Sequence, residues 1–417
     1  MSFTLGMVGA GQFAQNFAPL FRAHPLIDDV WVTDTVAGRA DALAATYALA
    51  GTKASFDDMI ADPAIDAIAI FTQRWTHAGL AVRALRAGKH VYSTVPMGIA
   101  VDEIGEIIDA VQQTGLVYMM GETSFYNPAA VFGRGKLATG ELGRLFYAEG
   151  DYVHDMDLGF YDAYKYSGGA GWKATASYPP LLYPTHSIGG VLSVWDTYVT
   201  KAVGIGIPDT RGDGVFDRDV SMFDNDVSNA TALFEVAAGG SFRTNEFRRV
   251  GYPSHIRESR FRYFGTAGSF EQVATAAYWY TREGAQDVSS LVATHASMSV
   301  DDPLLSGVAP ELRAAFVSGY APVHDRSRIP AELAALPTGH EGSHHYLVDD
   351  FATAVANDTT PPVNAWTAAR FTVPGIIAHN SVRRGGERLD VPDFGAAPGA
   401  VALRPVSTST GVGVDTY

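Results

Sequence analysis

The sequence predicts an α/β N-terminal domain with a parallel sheet, followed by an α+β domain with a large, mainly antiparallel sheet. The first 125 residues alternate short apolar runs with amphipathic helical patterns, which is typical of a parallel sheet with crossover helices. Beyond Asn127-Pro128, longer alternating runs indicate antiparallel strands with one solvated face. A chain of 417 residues also exceeds one ordinary core. We expect domains at 1–125 and 126–395, and a tail at 396–417.

Five strands with amphipathic helices between them are predicted in the first domain. The strand-like runs are Phe3 to Val8, Val30 to Thr33, Ala67 to Phe71, His90 to Ser93 and Leu116 to Met120. The helical patterns include Gln12 to Ala23, His77 to Ala87 and Val101 to Thr114. Ligands of such sheets bind at the carboxyl ends of the strands, which here include the segment 72–77.

The first strand leads directly into the turn Gly9-Ala10-Gly11-Gln12-Phe13-Ala14. Gly9 permits a tight turn, Gly11 lets a phosphate approach the backbone, and Ala14 allows the helix to pack on the strand. A plain strand–helix turn is the alternative. Asp34 ends the second predicted strand at the spacing that suits a ribose hydroxyl, so a Rossmann dinucleotide site is favoured. Its negative charge would repel a 2′-phosphate and favours NAD over NADP.

Composition narrows the class of protein and its partners. A hydrophobic content of 47% with 18% charged residues is typical of a globular protein. The formal net charge of −15 disfavours nucleic acid and anionic membranes as partners. The absence of cysteine excludes disulfides and thiolate metal sites. No apolar run reaches membrane-span length and the glycine turn lies close to Met1, so a cytoplasmic protein is expected.

The second domain shows a different pattern. Its alternating runs are Leu145 to Val153, Ala230 to Arg243 and Ser259 to Phe264. The stretch from Asp157 to Pro180 is rich in Gly, Tyr and Pro and predicts a long ordered loop that lines a site. A helix is expected from His344 to Asn357, and a loose tail from Val406 to Tyr417.

Several segments resemble the Gfo/Idh/MocA oxidoreductase family. They are Gly9 to Ala14, Ala87-Gly88-Lys89-His90-Val91-Tyr92, Gly265-Thr266-Ala267-Gly268-Ser269 and the C-terminal helix, and the resemblance spans about residues 3 to 395. It implies an N-terminal Rossmann domain, a C-terminal domain whose large open sheet carries the substrate, and a homo-oligomer, either a dimer or a tetramer. An exposed open sheet would otherwise present a large apolar face.

The chain departs from ordinary dehydrogenases of that family after the fourth predicted strand. Those enzymes have Glu-Lys-Pro, in which lysine assists proton transfer, whereas this chain has Thr94-Val95-Pro96. It looks closer to the NAD-dependent glycosidases of the family, such as the α-N-acetylgalactosaminidases. The matching segments are Gly121-Glu122, Tyr152-Val153-His154-Asp155, Tyr183-Pro184-Thr185-His186-Ser187-Ile188-Gly189 and Gly339-His340-Glu341-Gly342.

This resemblance implies catalytic roles for Glu122, Tyr152, His154 and His186. In the family's reaction NAD⁺ takes hydride from sugar C3, a base removes the C2 proton, the aglycone leaves, water adds, and the hydride returns. Tyr152 corresponds to the C2 base, and alternation along a strand places Tyr152 and His154 on one face. The structural alternatives are a packed strand tyrosine, a hydrogen-bonded strand histidine, a solvated loop carboxylate at Glu122 and a helix cap at His186.

Ligand contacts follow from the same resemblance. The candidate cofactor-binding residues are Gly9, Gly11, Gln12, Phe13, Asp34, Trp75, His77, Thr94, Val95, Thr123 and Lys173. The candidate substrate-binding residues are Tyr152, Lys173, Tyr183 and Arg257, although a loop lysine such as Lys173 is more often solvated. His340, His344 and His345 are expected to be caps, solvated positions or substrate contacts, and no metal site is expected.

One arginine-rich stretch is unusual for so acidic a chain. It contains Arg243, Arg248, Arg249, Arg257, Arg260 and Arg262. The two interpretations are a charged sheet face with salt bridges, and a site where one or two arginines bind an anionic sugar group. NAD-dependent sulfoquinovosidases belong to the wider set of similar enzymes, which makes a sulfoquinovoside the leading candidate for an anionic substrate.

Three functions remain open from the sequence. The first is a glycoside hydrolase that uses bound NAD⁺ with no net redox change. The second is a conventional NAD-dependent sugar dehydrogenase in which His186 or Tyr152 replaces the missing lysine. The third is a non-catalytic NAD-binding or sensor protein.

Overall fold

The computed structural model describes residues 1–157, 160–251, 258–296, 298–308, 310 and 313–399. The predicted tail from Val406 to Tyr417 lies outside these residues. Within them, no helix combines the length and the apolar character that a membrane crossing requires.

The strands are numbered in chain order. They are β1 Phe3–Val8, β2 Ile27–Thr33, β3 Gly51–Thr52, β4 Ala67–Ile70, β5 His90–Ser93, β6 Tyr118–Met120, β7 Leu145–Val153, β8 Val199–Pro208, β9 Val227–Val236, β10 Ser241–Phe247, β11 Ser259–Gly265, β12 Gly268–Gln272, β13 Ala277–Thr281, β14 Gly284–Asp287 and β15 Leu389–Asp390.

The α-helices are numbered in the same way. They are α1 Ala14–Ala23, α2 Arg39–Tyr47, α3 Phe56–Ala61, α4 His77–Arg86, α5 Val101–Thr114, α6 Pro128–Ala138, α7 Phe160–Gly168, α8 Trp172–Ala176, α9 Thr185–Leu192, α10 Ser289–Val292, α11 Arg313–Phe316, α12 Ala331–Ala334, α13 Ser343–Asn357 and α14 Ala365–Arg383.

The N-terminal sheet has the order β3-β2-β1-β4-β5-β6, and all of its strands are parallel. This is the doubly wound order of dinucleotide-binding domains. The central strands are buried on both faces, as the run Ala67–Ile70 shows, because helices cover both sides of a parallel sheet. The strand order reverses between β1 and β4, and a crevice for a ligand forms there.

The second sheet has nine strands in the order β14-β13-β12-β11-β7-β10-β9-β8-β15. Only the β7–β10 pair is parallel among the strand pairs that the described residues form in it. One face packs against α9 and α14, and the other exposes apolar side chains such as Ile205 and Leu233. The predicted fold class, a Rossmann domain joined to a large and mainly antiparallel sheet, is confirmed.

Two predictions within the second domain are wrong. The run Ala230 to Arg243 is a hairpin of β9 and β10, because Gly239 and Gly240 adopt positive φ angles of 78° and 140° that close a turn. The stretch Asp157 to Pro180 is not a loop, since it contains α7 and α8. Those short helices are held by a small apolar cluster that includes Met156 and Phe216, which local sequence does not reveal.

Candidate active site

The glycine turn after β1 has the shape that a dinucleotide phosphate requires. Gly9 has φ +97°, and a Cβ there would lie 2.5 Å from the Phe71 carbonyl oxygen, so only glycine fits. A Cβ on Gly11 would meet nothing within 4 Å, which leaves open space over the turn. Asp34 ends β2 and accepts hydrogen bonds from the amides of Ala10 and Val36, each at 2.7 Å. The turn and its acidic partner therefore fit the predicted cofactor.

Residues after β4 and β5 form the next part of the crevice. The His77 side chain is buried, with Nδ1 2.7 Å from the Pro96 carbonyl oxygen and Nε2 3.1 Å from that of Thr72. Burial lowers its pKa, and the neutral ring donates to one of these two carbonyl oxygens. The Thr94 hydroxyl donates to the Ile70 carbonyl oxygen at 3.1 Å. The structure thus places His77 and Thr94 in the framework beneath the crevice.

The remaining predicted cofactor contacts divide into two groups. Gln12, Phe13 and Trp75 are partly exposed at the crevice, whereas Val95 and Thr123 are buried. Lys173 lies elsewhere: its side chain is exposed and its ammonium donates to the Asp213 carbonyl oxygen at 2.7 Å. The structure does not bring Lys173 to the other candidate residues. Arg257 lies outside the described residues.

A buried carboxylate–histidine pair occupies the junction between the sheets. Glu122 follows β6, and His186 lies in the first turn of α9. A hydrogen bond of 2.7 Å joins His186 Nδ1 to Glu122 Oε1, which also accepts from the Ser124 amide at 2.7 Å. Burial alone would raise the pKa of Glu122, but the interaction with the neighbouring His186 and these hydrogen bonds lower it. Glu122 is therefore ionised at neutral pH and orients the imidazole.

Small residues let α9 reach this position. A Cβ on Gly150 of β7 would lie 2.4 Å from the Ser187 carbonyl oxygen, so the strand needs glycine where the helix crosses it. A Cβ on Gly189 would lie 2.9 Å from Cγ of Glu122. These two close approaches fix His186 against Glu122, and the sequence Gly189-Gly190 is the local signal for them.

Tyr152, near the end of β7, brings a phenol to the same place. Its ring centroid lies 4.7 Å from that of His186, 5.6 Å from that of His154 and 6.1 Å from that of Tyr183. Burial raises the pKa of Tyr152 well above 10, and the nearby carboxylate of Glu258 adds to the rise. The four residues predicted to be catalytic thus meet in one cluster, in which Tyr152 is a neutral phenol.

Two carboxylates that the sequence analysis did not single out support this cluster. Glu258 Oε1 lies 3.1 Å from His154 Nε2. Glu246 of β10 is paired in register with Tyr152, accepts from Arg248 Nη2 at 2.9 Å, and accepts from the Ser187 hydroxyl. Burial raises the pKa of Glu246 to about 7, against the opposing effects of Arg248 and Ser187.

The guanidinium of Arg248 lies between Glu246 and the phenol. Its central carbon is 4.7 Å from the centroid of the Tyr152 ring, within the range of a cation–π contact. Nη1 also donates to the Tyr152 carbonyl oxygen at 3.3 Å. Ser187, Glu246, Arg248 and Tyr152 therefore form a continuous chain of contacts from α9 to β7.

The C-terminal histidines pack against the glycine turn. His340 Nδ1 lies 2.8 Å from His344 Nε2, and the two rings are 5.7 and 5.8 Å from the ring of Phe13. Burial lowers the pKa of His340 to about 4, so this pair is neutral. The prediction of solvated positions is wrong for His344 and His345, which are fully buried. Within the described ranges no three His, Asp or Glu side chains form a metal-binding group.

Most of the arginine-rich stretch forms salt bridges. Arg243 and Arg262 both bind Glu149, and Arg249 binds Asp213 at 2.8 Å. Together with the Arg248–Glu246 pair, this arrangement agrees with the salt-bridge interpretation for four of the six arginines. Arg260 is buried, and Arg257 lies outside the described residues. These four paired arginines do not supply a free anion site.

Comparison with known proteins agrees with this geometry. Residues 3–122 match the model of the family described as "Oxidoreductase family, NAD-binding Rossmann fold", GFO_IDH_MocA. Residues 3–122 are therefore similar to the Gfo/Idh/MocA oxidoreductases. The predicted resemblance to this family and the predicted cofactor, NAD, are confirmed.

Two relatives of this chain carry glycosidase names. A glycosyl hydrolase family 109 protein of Saccharopolyspora erythraea is 24% identical over 411 residues, which cover 94% of this chain and 83% of the relative. An alpha-N-acetylgalactosaminidase of Bacteroides fragilis is 32% identical over 134 residues, 31% of each chain. These relatives agree with the predicted resemblance to the glycosidase branch.

A solved structure supports the fold over nearly the whole length. Levoglucosan dehydrogenase in complex with NADH and levoglucosan has a TM-score of 0.70 and 17% identity, with 94% of this chain and all of that chain covered. At this identity the likeness shows the fold alone.

Proposed function

We propose that the protein is an NAD-dependent glycoside hydrolase that acts by transient C3 oxidation, C1–C2 elimination, water addition and re-reduction. The observation that carries the proposal is the buried Glu122–His186 pair with Tyr152 beside it. Val95 stands where dehydrogenases of the family have a lysine, so proton transfer falls to these side chains. When bound, NAD⁺ supplies reversible acceptance of a hydride from the sugar.

His186 is assigned to the C3 hydroxyl. Because ionised Glu122 accepts at Nδ1, it holds the proton of a neutral imidazole on that nitrogen and leaves the lone pair on Nε2. Nε2 therefore takes the hydroxyl proton when C3 becomes a ketone, and returns it at the end. The buried carboxylate of Glu122 stabilises the positive charge that His186 acquires when it takes this proton.

Tyr152 is assigned to the C2 proton. Tyr152 reacts as the phenolate, after its phenol proton has passed to solvent. The ketone at C3 acidifies C2–H, and the phenolate oxygen removes that proton while the C1–O bond breaks toward the aglycone. Burial opposes the phenolate, whereas the guanidinium of Arg248, 4.7 Å from the ring, favours it. Arg248 therefore favours the phenolate form of Tyr152 that this step needs.

His154 is assigned to the leaving oxygen. Glu258 holds its Nε2 at 3.1 Å and stabilises the imidazolium, which donates a proton to the departing aglycone oxygen. Neutral His154 then takes a proton from water as hydroxide adds to C1, and Tyr152 returns its proton to C2. Atoms balance as hydrolysis, and no net oxidation occurs.

The test is a panel of aryl glycosides, including a sulfoquinovoside, offered to the purified protein without added NAD. We expect aglycone release without accumulation of NADH. Steady NADH formation from free sugars supplied with NAD⁺ would instead identify a sugar dehydrogenase, the alternative function. If neither reaction occurs while NAD binds, the protein is a non-catalytic NAD-binding protein and the proposal is wrong.

A further inference from the structure

One arginine beside the catalytic cluster lacks the carboxylate partner that three other arginines have. Arg248, Arg249 and Arg328 each contact a carboxylate, at 2.9, 2.8 and 2.7 Å. Arg74 follows β4 directly and is half-buried, yet among the described residues no carboxylate forms a salt bridge with it. Its charge is therefore balanced by something other than an acidic side chain.

Three aromatic rings surround this cation instead. The central guanidinium carbon lies 5.5 Å from the ring centroid of Tyr164, 5.0 Å from that of Tyr178 and 4.6 Å from that of Tyr183. Nη1 donates to the Tyr164 hydroxyl at 2.9 Å. We call Arg74 with these three residues the tyrosine pocket. Ring faces attract the cation but accept none of its in-plane hydrogen bonds, so the fork of donors keeps capacity for a ligand.

The tyrosine pocket adjoins the cluster through one shared side chain. The ring of Tyr183 lies 5.1 Å from that of His186 and 6.1 Å from that of Tyr152, and it also contacts Arg74. A sugar with C3 at His186 would extend its far substituents along Tyr183. Arg74 therefore lies where a group remote from C3, such as the substituent on C5, would end.

We propose that Arg74 binds an anionic group of the substrate, a carboxylate or sulfonate at the C6 position of the sugar. The position of the sugar rests on the proposed function, whereas the observation that no described carboxylate forms a salt bridge with Arg74 does not. Arginine suits both anions because its planar fork matches two oxygen atoms at once. The ordering of three tyrosines around one guanidinium fixes that fork before the ligand arrives, which reduces the entropic cost of binding.

The test measures equilibrium binding, so it does not require turnover. NAD-loaded protein is titrated calorimetrically with glucuronate, galacturonate and sulfoquinovose, each beside its neutral counterpart glucose, galactose or quinovose. We expect at least one anionic sugar to bind about 10-fold or more tightly than its counterpart, as hydrogen bonds to a charged group predict. Equal binding within every pair would overturn the proposal, whereas failure of all aryl glycosides to react would overturn only the proposed function.

Variants then identify the residue responsible. Arg74→Met should abolish the anionic preference and leave binding of the neutral sugar unchanged, and Arg74→Lys should retain part of the preference because it keeps the charge without the fork. Arg326→Met is the matched control, since Arg326 also lies over a tyrosine, 4.7 Å from the ring of Tyr320, but is exposed. If Arg74→Met weakens NAD binding and spares the anionic preference, the cation serves the cofactor diphosphate and the proposal is wrong.

Discussion

A hydrogen bond of 2.7 Å connects Glu122, at the end of the last strand of the N-terminal sheet, to His186, in the first turn of the helix that covers the second sheet. Both side chains are buried. The pair therefore joins the cofactor-binding half of the site to the half that carries Tyr152, and it fixes which imidazole nitrogen is free for proton transfer.

Replacing this carboxylate should cost activity without loss of the fold. Glu122→Gln offers Nδ1 an amide that can donate as well as accept, which favours the wrong tautomer of His186. We expect kcat/KM for an aryl glycoside to fall by about 10²- to 10⁴-fold, the usual contribution of positioned acid–base groups. Glu141→Gln, at a surface carboxylate paired with Lys136, is the control and should change kcat/KM less than threefold. A similar small change in Glu122→Gln would contradict the assignment.

Tyr152→Phe tests the C2 proton directly. Hydrolysis in D₂O by the unaltered protein should place deuterium at C2, and the variant should lose both turnover and this exchange, by about 10²-fold or more. Thermal unfolding should stay close to that of the unaltered protein, because only a hydroxyl is removed. Tyr147→Phe, on the same strand with its hydroxyl bound to Glu149, is the matched control. Undiminished exchange in the Tyr152 variant would assign the C2 proton to another base.

The close approach of Gly189 to Glu122 gives a third prediction. In Gly189→Ala the new Cβ would lie 2.9 Å from Glu122 Cγ, so α9 or the carboxylate must move. We expect a loss of about 1–3 kcal/mol in the free energy of unfolding, and a fall in kcat of about 10-fold from misplacement of His186. Gly79→Ala, in α4 with nothing within 4 Å of its added Cβ, should keep kcat and raise stability slightly. An unchanged kcat in Gly189→Ala would show that the pair tolerates displacement.

The parts of this molecule that sequence could predict are those coded by local pattern. The strand β1, the turn at Gly9 and the helix α5 follow from apolar periodicity and glycine placement, and each lies where the pattern indicates. Tyr152 and His154 share a face for the same reason. The resemblance to a family adds Glu122 and His186, which no spacing rule could bring together across 64 residues.

The positions of the two supporting carboxylates could not be predicted, because they depend on which strands pair and in which register. Glu246 lies beside Tyr152 only through the parallel pairing of β10 with β7, and Glu258 reaches His154 because it precedes β11. The sequence could not choose between the two interpretations of the arginine-rich stretch, because partners such as Glu149 of β7 and Asp213 are brought to it only by the fold. The sequence could have drawn attention to Arg74, since it places the segment 72–77 at the ligand end of β4. That no described carboxylate forms a salt bridge with Arg74 is visible only in the folded chain.

Glu246 gives a prediction about stability and pH. Its pKa is about 7 in the folded protein, raised from 4.5 by burial, so the folded state binds more protons than the unfolded state between these values. The favourable contribution is complete below pH 4.5 and is lost as pH rises through 7. Over that window the free energy of unfolding should fall by up to about 3 kcal/mol on account of this group.

Comparison with Glu246→Gln isolates that contribution from other titrating groups. The amide cannot ionise, so urea unfolding at a series of pH values should show the variant gaining stability relative to the unaltered protein between pH 4.5 and 7.5. Glu235→Gln, a half-exposed carboxylate paired with Arg388 on neighbouring β9, should show no such relative gain. A constant difference across the window would mean that Arg248 keeps Glu246 ionised throughout. In that case the negative charge of Glu246 would offset the positive charge of Arg248 near the Tyr152 ring, and Arg248 would favour the phenolate less.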